Sequence, residues 1–324
     1  MQVLVMKKKL LNYLMHHARQ PISSATLIKH FPEKLSLLLE ELSEDHSLEI
    51  TQDTVIYYPE PPLSIPNLTN QLQNKWPMIT IDHQAILSST NTVLKQMIQS
   101  KEITSEHPYL LIADKQTNGR GRLGRQFVSD IYNGLYLSLY IPFNVSSHEL
   151  PAFTLIAAAA LTQTIEKLTG FEIGIKWVND LYFNQKKIAG ILTETTLDLE
   201  TNQINGIIIG TGVNLSAFPE QIPVDLQHKM GALFEPGHES ITREELITNY
   251  LNHLSSLLND PSKAYYPIYC KHSFVLGKEI SFQKNGKTIT GQAVKIMEDG
   301  RLLVTLPDLS TITLLAGEIS LQSY

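Results

Sequence analysis

Residues 59 to 66 read Pro59-Glu60-Pro61-Pro62-Leu63-Ser64-Ile65-Pro66, and no other stretch restricts the fold of this chain as strongly. Proline lacks the amide donor that a helix interior or a central strand needs, and its ring fixes φ. The chain must break here. A unit over residues 1–62 therefore precedes a longer body that begins near residue 67, and a chain of 324 residues has room for more than one core.

The first unit reads as helical and then extended. Leu10, Leu11, Leu14 and Met15 repeat at helical spacing, Ser23 or Ser24 can cap a second helix through Ile28, and Leu35 to Leu42 supplies a third. Leu48 to Ile50 and Thr54 to Tyr58 suit short strands around a turn at Gln52-Asp53. That order predicts a winged helix-turn-helix.

Residues 67–272 alternate strand and helix signals, which predicts a mixed α+β layer architecture. Ser89-Thr90-Asn91 precedes a helical run from Val93 to Ile98, with hydroxyl and amide groups where orphan helix N–H groups need partners. Tyr109 to Ala113 reads as a strand and Leu135 to Ile141 alternates between faces. A long helix from Leu150 to Leu168 stops at Gly170. Strands follow near Ile173 to Lys176, Ile188 to Thr195 and Ile204 to Gly210, and then an amphipathic helix from Arg243 to Leu258. Residues 273–324 change character. Glu279 to Phe282, Gln292 to Ile296, Leu302 to Leu306 and Thr311 to Leu315, with turns at Asn285-Gly286 and Glu298-Asp299-Gly300, suit a small β-barrel.

Composition excludes several classes. A formal net charge of -6 argues against non-specific nucleic-acid binding by the whole molecule. The one cysteine, Cys270, cannot form an internal disulfide and suits the reducing cytoplasm. Lys7, Lys8 and Lys9 precede an apolar run broken by Asn12, His16, His17 and Arg19, so no signal peptide is expected. Ala157 to Ala160 lie too close to Thr162, Gln163 and Glu166 for a bilayer span, and no membrane partner is expected. The histidines form no helical cluster with a third ligand, so no structural metal is expected.

The chemistry concentrates in Gly119-Arg120-Gly121-Arg122-Leu123-Gly124-Arg125, which sets three guanidinium groups among three glycines directly after a strand. Glycine lets backbone approach a ligand, and arginine offers bidentate charge to carboxylate or phosphate. The loop suits an anionic small molecule. Its glycines also spell G-x-G-x-x-G, but a dinucleotide fold needs a helix at the third glycine, whereas Tyr132-Asn133-Gly134 and a strand follow. No protein-kinase motifs follow either. A solvated Arg/Gly surface loop is the remaining alternative.

Five motifs occur in order: Ser89-Thr90-Asn91; Gln116 with Gly119 to Arg125; Lys176-Trp177-Val178-Asn179-Asp180; Lys187-Ile188-Ala189-Gly190-Ile191-Leu192-Thr193-Glu194; and Gly210-Thr211-Gly212-Val213-Asn214-Leu215. Together they resemble the biotin protein ligase family, whose members with an N-terminal winged helix double as biotin repressors. The resemblance extends through Leu276-Gly277-Lys278 and Gly317-Glu318-Ile319-Ser320-Leu321. It implies a catalytic domain over 67–272 similar to those of biotin ligases and class II aminoacyl-tRNA synthetases, followed by an SH3-like barrel. It also implies that ATP and Mg²⁺ activate biotin to biotinyl-5'-AMP, and that biotin passes to a lysine of a biotin carboxyl carrier domain.

The resemblance further implies residue roles. Ser89, Thr90, Asn91, Gln116, Gly121 and Gly190 look like part of the biotin pocket, although Ser89 and Thr90 also suit a helix cap. Arg120 and Arg122 match positions that hold biotin and its activated carboxyl or phosphoryl group, Arg122 looks like an ATP ligand as well, and Lys187 matches a lysine that contacts the biotin carboxylate and the reacting phosphate. Arg125, Lys176, Trp177, Asn179 and Asn214 look like ATP ligands; Trp177 also suits the core, and Asn214 a buried turn. Asp180 suits Mg²⁺ binding or deprotonation of the acceptor lysine. Val178 stands where the family usually has proline. Repulsion between carboxylate and phosphate grows to ~4 kcal/mol per pair at ~4 Å once the effective dielectric falls to about 20, so fixed cations are required.

The N-terminal unit leaves two readings open. Its candidate recognition stretch, Phe31 to Leu42, carries Glu33, Glu40 and Glu41, with Glu44 and Asp45 beyond, and acidic groups repel DNA phosphate. A ligase with a regulatory winged unit is favoured over a biotin-responsive repressor that binds DNA. A homodimer is compatible with both. Lipoate ligation on a related scaffold is the third reading.

Overall fold

The computed structural model describes residues 2–32, 34–44, 47–60, 62–131, 133–142, 150–197, 204–284, 286–315 and 319–321. Tyr132, Asn285, Gly317, Glu318, Glu33, Asp45 and Pro61, all named above, lie outside these residues.

The N-terminal residues form helices α1 (Gln2–His16), α2 (Ser24–His30) and α3 (Leu35–Ser43) with strands β1 (Ile22–Ser23), β2 (Ser47–Ile50) and β3 (Thr54–Tyr58). The strands pair antiparallel in the order β1-β3-β2. Ser23 caps α2 by accepting the Thr26 amide at 3.1 Å. Leu10, Leu14, Leu27, Leu38, Leu42 and Val55 bury into a small core of their own, which fits the helical spacing from which these elements were predicted.

The proline cluster ends sooner than its composition implies. Helix α4 (Ile65–Leu72) starts within it, with Pro66 in the first turn, where a missing N–H costs nothing, and Ser64 as cap. Glu60 is not a solvated linker residue either. It joins two arginines from opposite sides of the break: Arg243 Nε at 2.7 Å and Arg19 Nη2 at 3.5 Å. Arg243 Nη1 also reaches Asp114 Oδ1 at 2.6 Å, and Arg19 Nη2 donates to Asn133 Oδ1 at 2.9 Å. A buried charge network thus ties the N-terminal unit to the main sheet.

That sheet has seven strands: β4 (Thr80–Leu87), β5 (Tyr109–Gln116), β6 (Asn133–Pro142), β7 (Gly174–Lys176), β8 (Asp180–Phe183), β9 (Lys186–Leu197) and β10 (Ile204–Ser216), in the order β4-β5-β6-β10-β9-β8-β7. Only β4 and β5 pair in parallel; the other ladders are antiparallel. Four elements here escape the periodicity reading: α4, β8 and the short helix α8 (Tyr265–His272), which are brief, and β4, whose residues are mostly part-exposed and carry no clean alternation. Helix α5 (Thr90–Gln99) packs on one face. On the other lie α6 (Leu150–Thr169), which ends at Gly170 with φ 75°, and α7 (Arg243–Leu258) with α8. Strand β6 is buried on both faces and so does not alternate between core and solvent.

Strands β11 (Glu279–Lys284), β12 (Lys287–Ile296), β13 (Leu302–Thr305), β14 (Thr311–Leu314) and β15 (Ile319–Leu321) make one antiparallel sheet in the order β14-β13-β12-β11-β15. Ile280, Ala293, Ile296, Leu302 and Val304 join the main core, so this sheet packs on the central one. Among the described residues, no helix is long and apolar enough to cross a membrane.

Candidate functional site

Alternation along three central strands separates a packed face from an open one. Ile191, Val213 and Leu137 belong to the main core, while the register sets Gly190 against Gly212, Leu192 against Gly210, and Ser138 against Gly210. Small residues on the second face leave space. A Cβ at Gly212 would sit 2.6 Å from Phe127 Cε1, and one at Gly190 3.1 Å from Phe127 Cε2. A cleft of about 600 Å³ opens over these glycines, bounded by the start of α5, the Arg/Gly loop, residues 226 to 230 and strand β15. Every site residue singled out from the sequence lines it.

One end is polar and neutral. Gln116 Oε1 accepts from the Thr90 amide at 2.8 Å and from the Thr90 hydroxyl at 3.2 Å, while Gln116 Nε2 donates to Ser129 Oγ at 2.9 Å. These bonds fix the amide orientation. Ser89 takes the N-cap position but makes no side-chain cap bond; the partner of the Thr90 amide comes from β5 instead. The Ser89 side-chain cap is therefore not made, and the first helical amide is met by a tertiary contact. Asn91 is 3% exposed, and its Nδ2 donates to Leu192 O at 3.1 Å and to Glu194 Oε2 at 2.9 Å. Ser138 Oγ lies 2.6 Å from Asn91 Oδ1.

The rest of the cleft is cationic. The Arg/Gly loop is pinned across its neck: Gly121 N donates to Arg125 O at 2.7 Å, Phe127 N donates to Gly119 O at 2.8 Å, and Arg120 bridges to Gln126. A single turn spans Arg122–Gly124, where Leu123 and Gly124 take φ of 55° and 75°. Burial pulls the Arg122 guanidinium below its usual value while Asp180 and Tyr269 oppose the shift, and an arginine keeps its charge regardless. Arg120 is more open, with Nη1 at 3.4 Å from Glu194 Oε1. Arg125 is exposed at the rim.

Lys187 enters from the start of β9. Its Nζ lies 2.7 Å from Asp180 Oδ1 and 5.8 Å from the centre of the Phe127 ring. Residues 229 to 231 clasp its backbone: Lys187 N donates to Lys229 O at 2.8 Å and Gly231 N to Lys187 O at 2.9 Å. Lys176 stands opposite Asp180 in the β7–β8 ladder. Trp177 is 3% exposed, with Nε1 donating to Gly300 O at 2.9 Å, so its ring is committed to packing as well as to the cleft wall. The Trp177–Val178 peptide bond is cis. Asn179 Nδ2 donates to Ile191 O at 3.0 Å. Asn214 is 2% exposed and donates to Gly231 O at 2.8 Å, but among the described residues its Oδ1 has no hydrogen-bond partner.

Sequence reading passed over Phe127, Ser129 and Ser138, and assigned no role to Glu194, Gly210 or Gly212 although it quoted them. The spacing of Gly210, Gly212 and Asn214 on alternate positions of a strand was the available signal for an open sheet face. Nothing local marks Ser129 or Ser138.

Fold and site together define a two-faced α+β protein with a cleft suited to a ligand polar at one end and anionic at the other. Residues 84–214 match the biotin/lipoate A/B protein ligase family, and residues 275–322 match the biotin protein ligase C terminal domain. The bifunctional ligase/repressor BirA of Bacillus subtilis is 31% identical over 223 residues, which cover 68% of this chain and 67% of that protein. The biotin–[acetyl-CoA-carboxylase] ligase of Mycobacterium tuberculosis is 25% identical over 271 residues, 80% of this chain and 96% of that protein. A biotin protein ligase from Aquifex aeolicus, solved in complex with biotin and ATP, superposes with a TM-score of 0.60 at 27% identity, covering 76% of this chain and 99% of that one. The chain belongs to the biotin/lipoate A/B protein ligase family, on the biotin protein ligase branch.

Proposed function

We infer that the protein is an ATP-dependent, AMP-forming biotin protein ligase that makes biotinyl-5'-AMP, releases pyrophosphate, and transfers biotin to a lysine of a carrier domain. One observation carries the reading: the neutral Thr90–Gln116 end and the cations Arg120, Arg122 and Lys187 share one cleft. A bicyclic urea with a carboxylate tail has that polarity. The lipoate reading is disfavoured because a dithiolane offers the neutral end no hydrogen bonds, and a site that leaves buried polar groups unmatched discriminates strongly.

In this proposal Ser89, Thr90 and Gln116 pair with the ureido group, Gly121 and Gly190 let the ring approach backbone, and Asn91 frames the pocket through its bonds to the protein. Arg120, Arg122 and Lys187 hold the carboxylate against the α-phosphate, so catalysis is positioning plus charge neutralisation with no covalent enzyme intermediate. Arg125, Lys176, Asn179 and Trp177 serve the nucleotide side, and the unpaired Asn214 Oδ1 is an acceptor suited to an amino N–H. Among the described residues, Asp180 is the one carboxylate that lines the cleft. That fits Mg²⁺ carried mainly by nucleotide phosphates, an ion that takes one or two carboxylates beside phosphate and water. When bound, Mg²⁺ offsets phosphate charge. In the same reading Asp180 accepts a proton from the incoming lysine.

The finer architecture belongs to the same proposal: a winged helix-turn-helix over 1–62, a catalytic domain over 67–272 and an SH3-like domain over 273–324, acting in the cytoplasm. Helix α3 has no basic residue and exposes Leu37 and Glu40, which supports a regulatory rather than DNA-reading role for the first unit. A salt-titrated gel shift against DNA upstream of biotin genes, with and without biotin and ATP, separates the two. The ligase reading is tested with biotin, ATP, Mg²⁺ and purified carrier domains. A mass gain of one biotinyl group on the carrier is expected; no modification across a broad carrier set would overturn it.

A further inference from the structure

Ser138 has no part in the roles above, yet it is fully buried directly behind the neutral end of the cleft. It lies on β6 opposite Gly210, and a Cβ on that glycine would fall on Asn91, so the first turn of α5 packs against this part of the sheet. The Ser138 hydroxyl oxygen is 2.6 Å from Asn91 Oδ1 and 2.7 Å from Thr90 Oγ1. A hydroxyl has one proton, so it serves one of these two oxygens at a time.

Asn91 decides which. Both protons of its Nδ2 go to groups that can only accept, Leu192 O and Glu194 Oε2, which turns Oδ1 toward Ser138. Asn91 is 3% exposed, and a buried carbonyl left without a donor is costly, so the Ser138 proton goes to Asn91. Thr90 then faces a lone pair of Ser138 at 2.7 Å and Gln116 Oε1 at 3.2 Å. Either one draws the Thr90 proton into the protein. Were Ser138 to donate to Thr90 instead, the Thr90 proton would still fall to Gln116 Oε1.

We propose that Ser138 is a positioning residue for biotin recognition: backed by Asn91, it spends the Thr90 hydroxyl proton inside the protein and leaves a lone pair facing the cleft. This rests on the ligase reading, which puts the ureido group at that end. An N–H of the ligand meets the lone pair as a donor, whereas a ring oxygen in its place meets it lone pair to lone pair. A site built on such a bond rejects the analogue that lacks it.

Calorimetric titration with biotin and with its two cyclic-carbamate isomers, in each of which oxygen replaces one ureido N–H, reads the polarity of Thr90 without turnover. Wild type should prefer biotin to one of the isomers by about 10²-fold. In Ser138→Ala the Thr90 hydroxyl can turn and donate, so biotin affinity should fall about tenfold while affinity for that isomer holds, and the preference shrinks to about tenfold. A general loosening would weaken all three ligands alike and leave the preference unchanged. Ser138→Cys, which keeps a weak donor of similar shape, should fall between the two and serves if the alanine variant does not fold. Thr90→Val should collapse the preference by itself, and adding Ser138→Ala should not change it further. An unchanged preference in the Ser138 variants, or a wild type indifferent to both isomers, would overturn the proposal and leave the ligase reading standing. A wild type that binds no biotin would overturn the ligase reading and this proposal with it.

Discussion

Lys187 Nζ stands 2.7 Å from Asp180 Oδ1, an ion pair formed across the β8–β9 ladder at the place where that ladder slips register. The two side chains are 32% and 23% exposed, so the lysine is oriented by one carboxylate and still open to a second anion. A cation held this way costs no reorganisation when a carboxylate and a phosphate approach.

Lys187→Ala should slow biotin-dependent pyrophosphate exchange by about 10²- to 10³-fold, the range found when one fixed stabiliser of developing charge is removed, with the thermal melt unchanged. Exchange at the wild-type rate would exclude Lys187 from the activation step.

Gly212→Ala should weaken biotin binding by about tenfold, because the added methyl meets the Phe127 ring at 2.6 Å and takes volume from the cleft floor. Calorimetric titration reads this directly. The Gly210→Ala change differs in kind: its methyl overlaps Asn91, which every neighbour holds in place, and should destabilise the fold by ~1–3 kcal/mol in a urea melt.

Arg243 is 1% exposed and bonds both Glu60 and Asp114. Arg243→Ala takes a buried guanidinium away from the Asp114 and Glu60 carboxylates and should cost about 3–5 kcal/mol of unfolding free energy. Replacing an exposed ion-pair residue, as in Lys263→Ala beside Glu298, should leave the same melt almost unmoved. Equal effects at the two sites would contradict the burial argument.

Burial alone would raise the Asp114 carboxyl, but the hydrogen bond from His83 and the Arg243 charge outweigh it and hold the group down at about 2. A carboxylate depressed below its unfolded value of about 3.9 adds stability that is fully present above that pH and is lost as pH falls toward 2. Acid titration followed by far-UV circular dichroism should show unfolding within that window. In Arg243→Ala the midpoint should move to higher pH. An unmoved midpoint would show that Asp114 is not what acid titrates.

Much of the site was legible because its chemistry is carried by residue types that have few other reasons to be adjacent. Arginines alternating with glycines and a lysine entering an apolar strand each mean little alone, but their order along the chain is specific. The long helices were equally plain, α7 from apolar positions at helical spacing and α6 from a long apolar run closed by Gly170. Strands β4 and β8 and helix α4 were not, because what makes them regular is pairing and packing supplied by distant residues.

The sequence by itself determined that a break falls near the prolines, that the central part is α+β, and that three arginines sit among glycines directly after a strand, because backbone sterics, periodicity and charge are local properties. Only the tertiary structure decided that Gln116 satisfies the Thr90 amide, that Asn91 is a fixed strut, that Glu194 reaches Arg120, and that Glu60 is buried between Arg19 and Arg243. Each of those depends on strand register and on how a sheet brings together side chains far apart in the chain, and a one-residue slip would reverse the faces on which they meet.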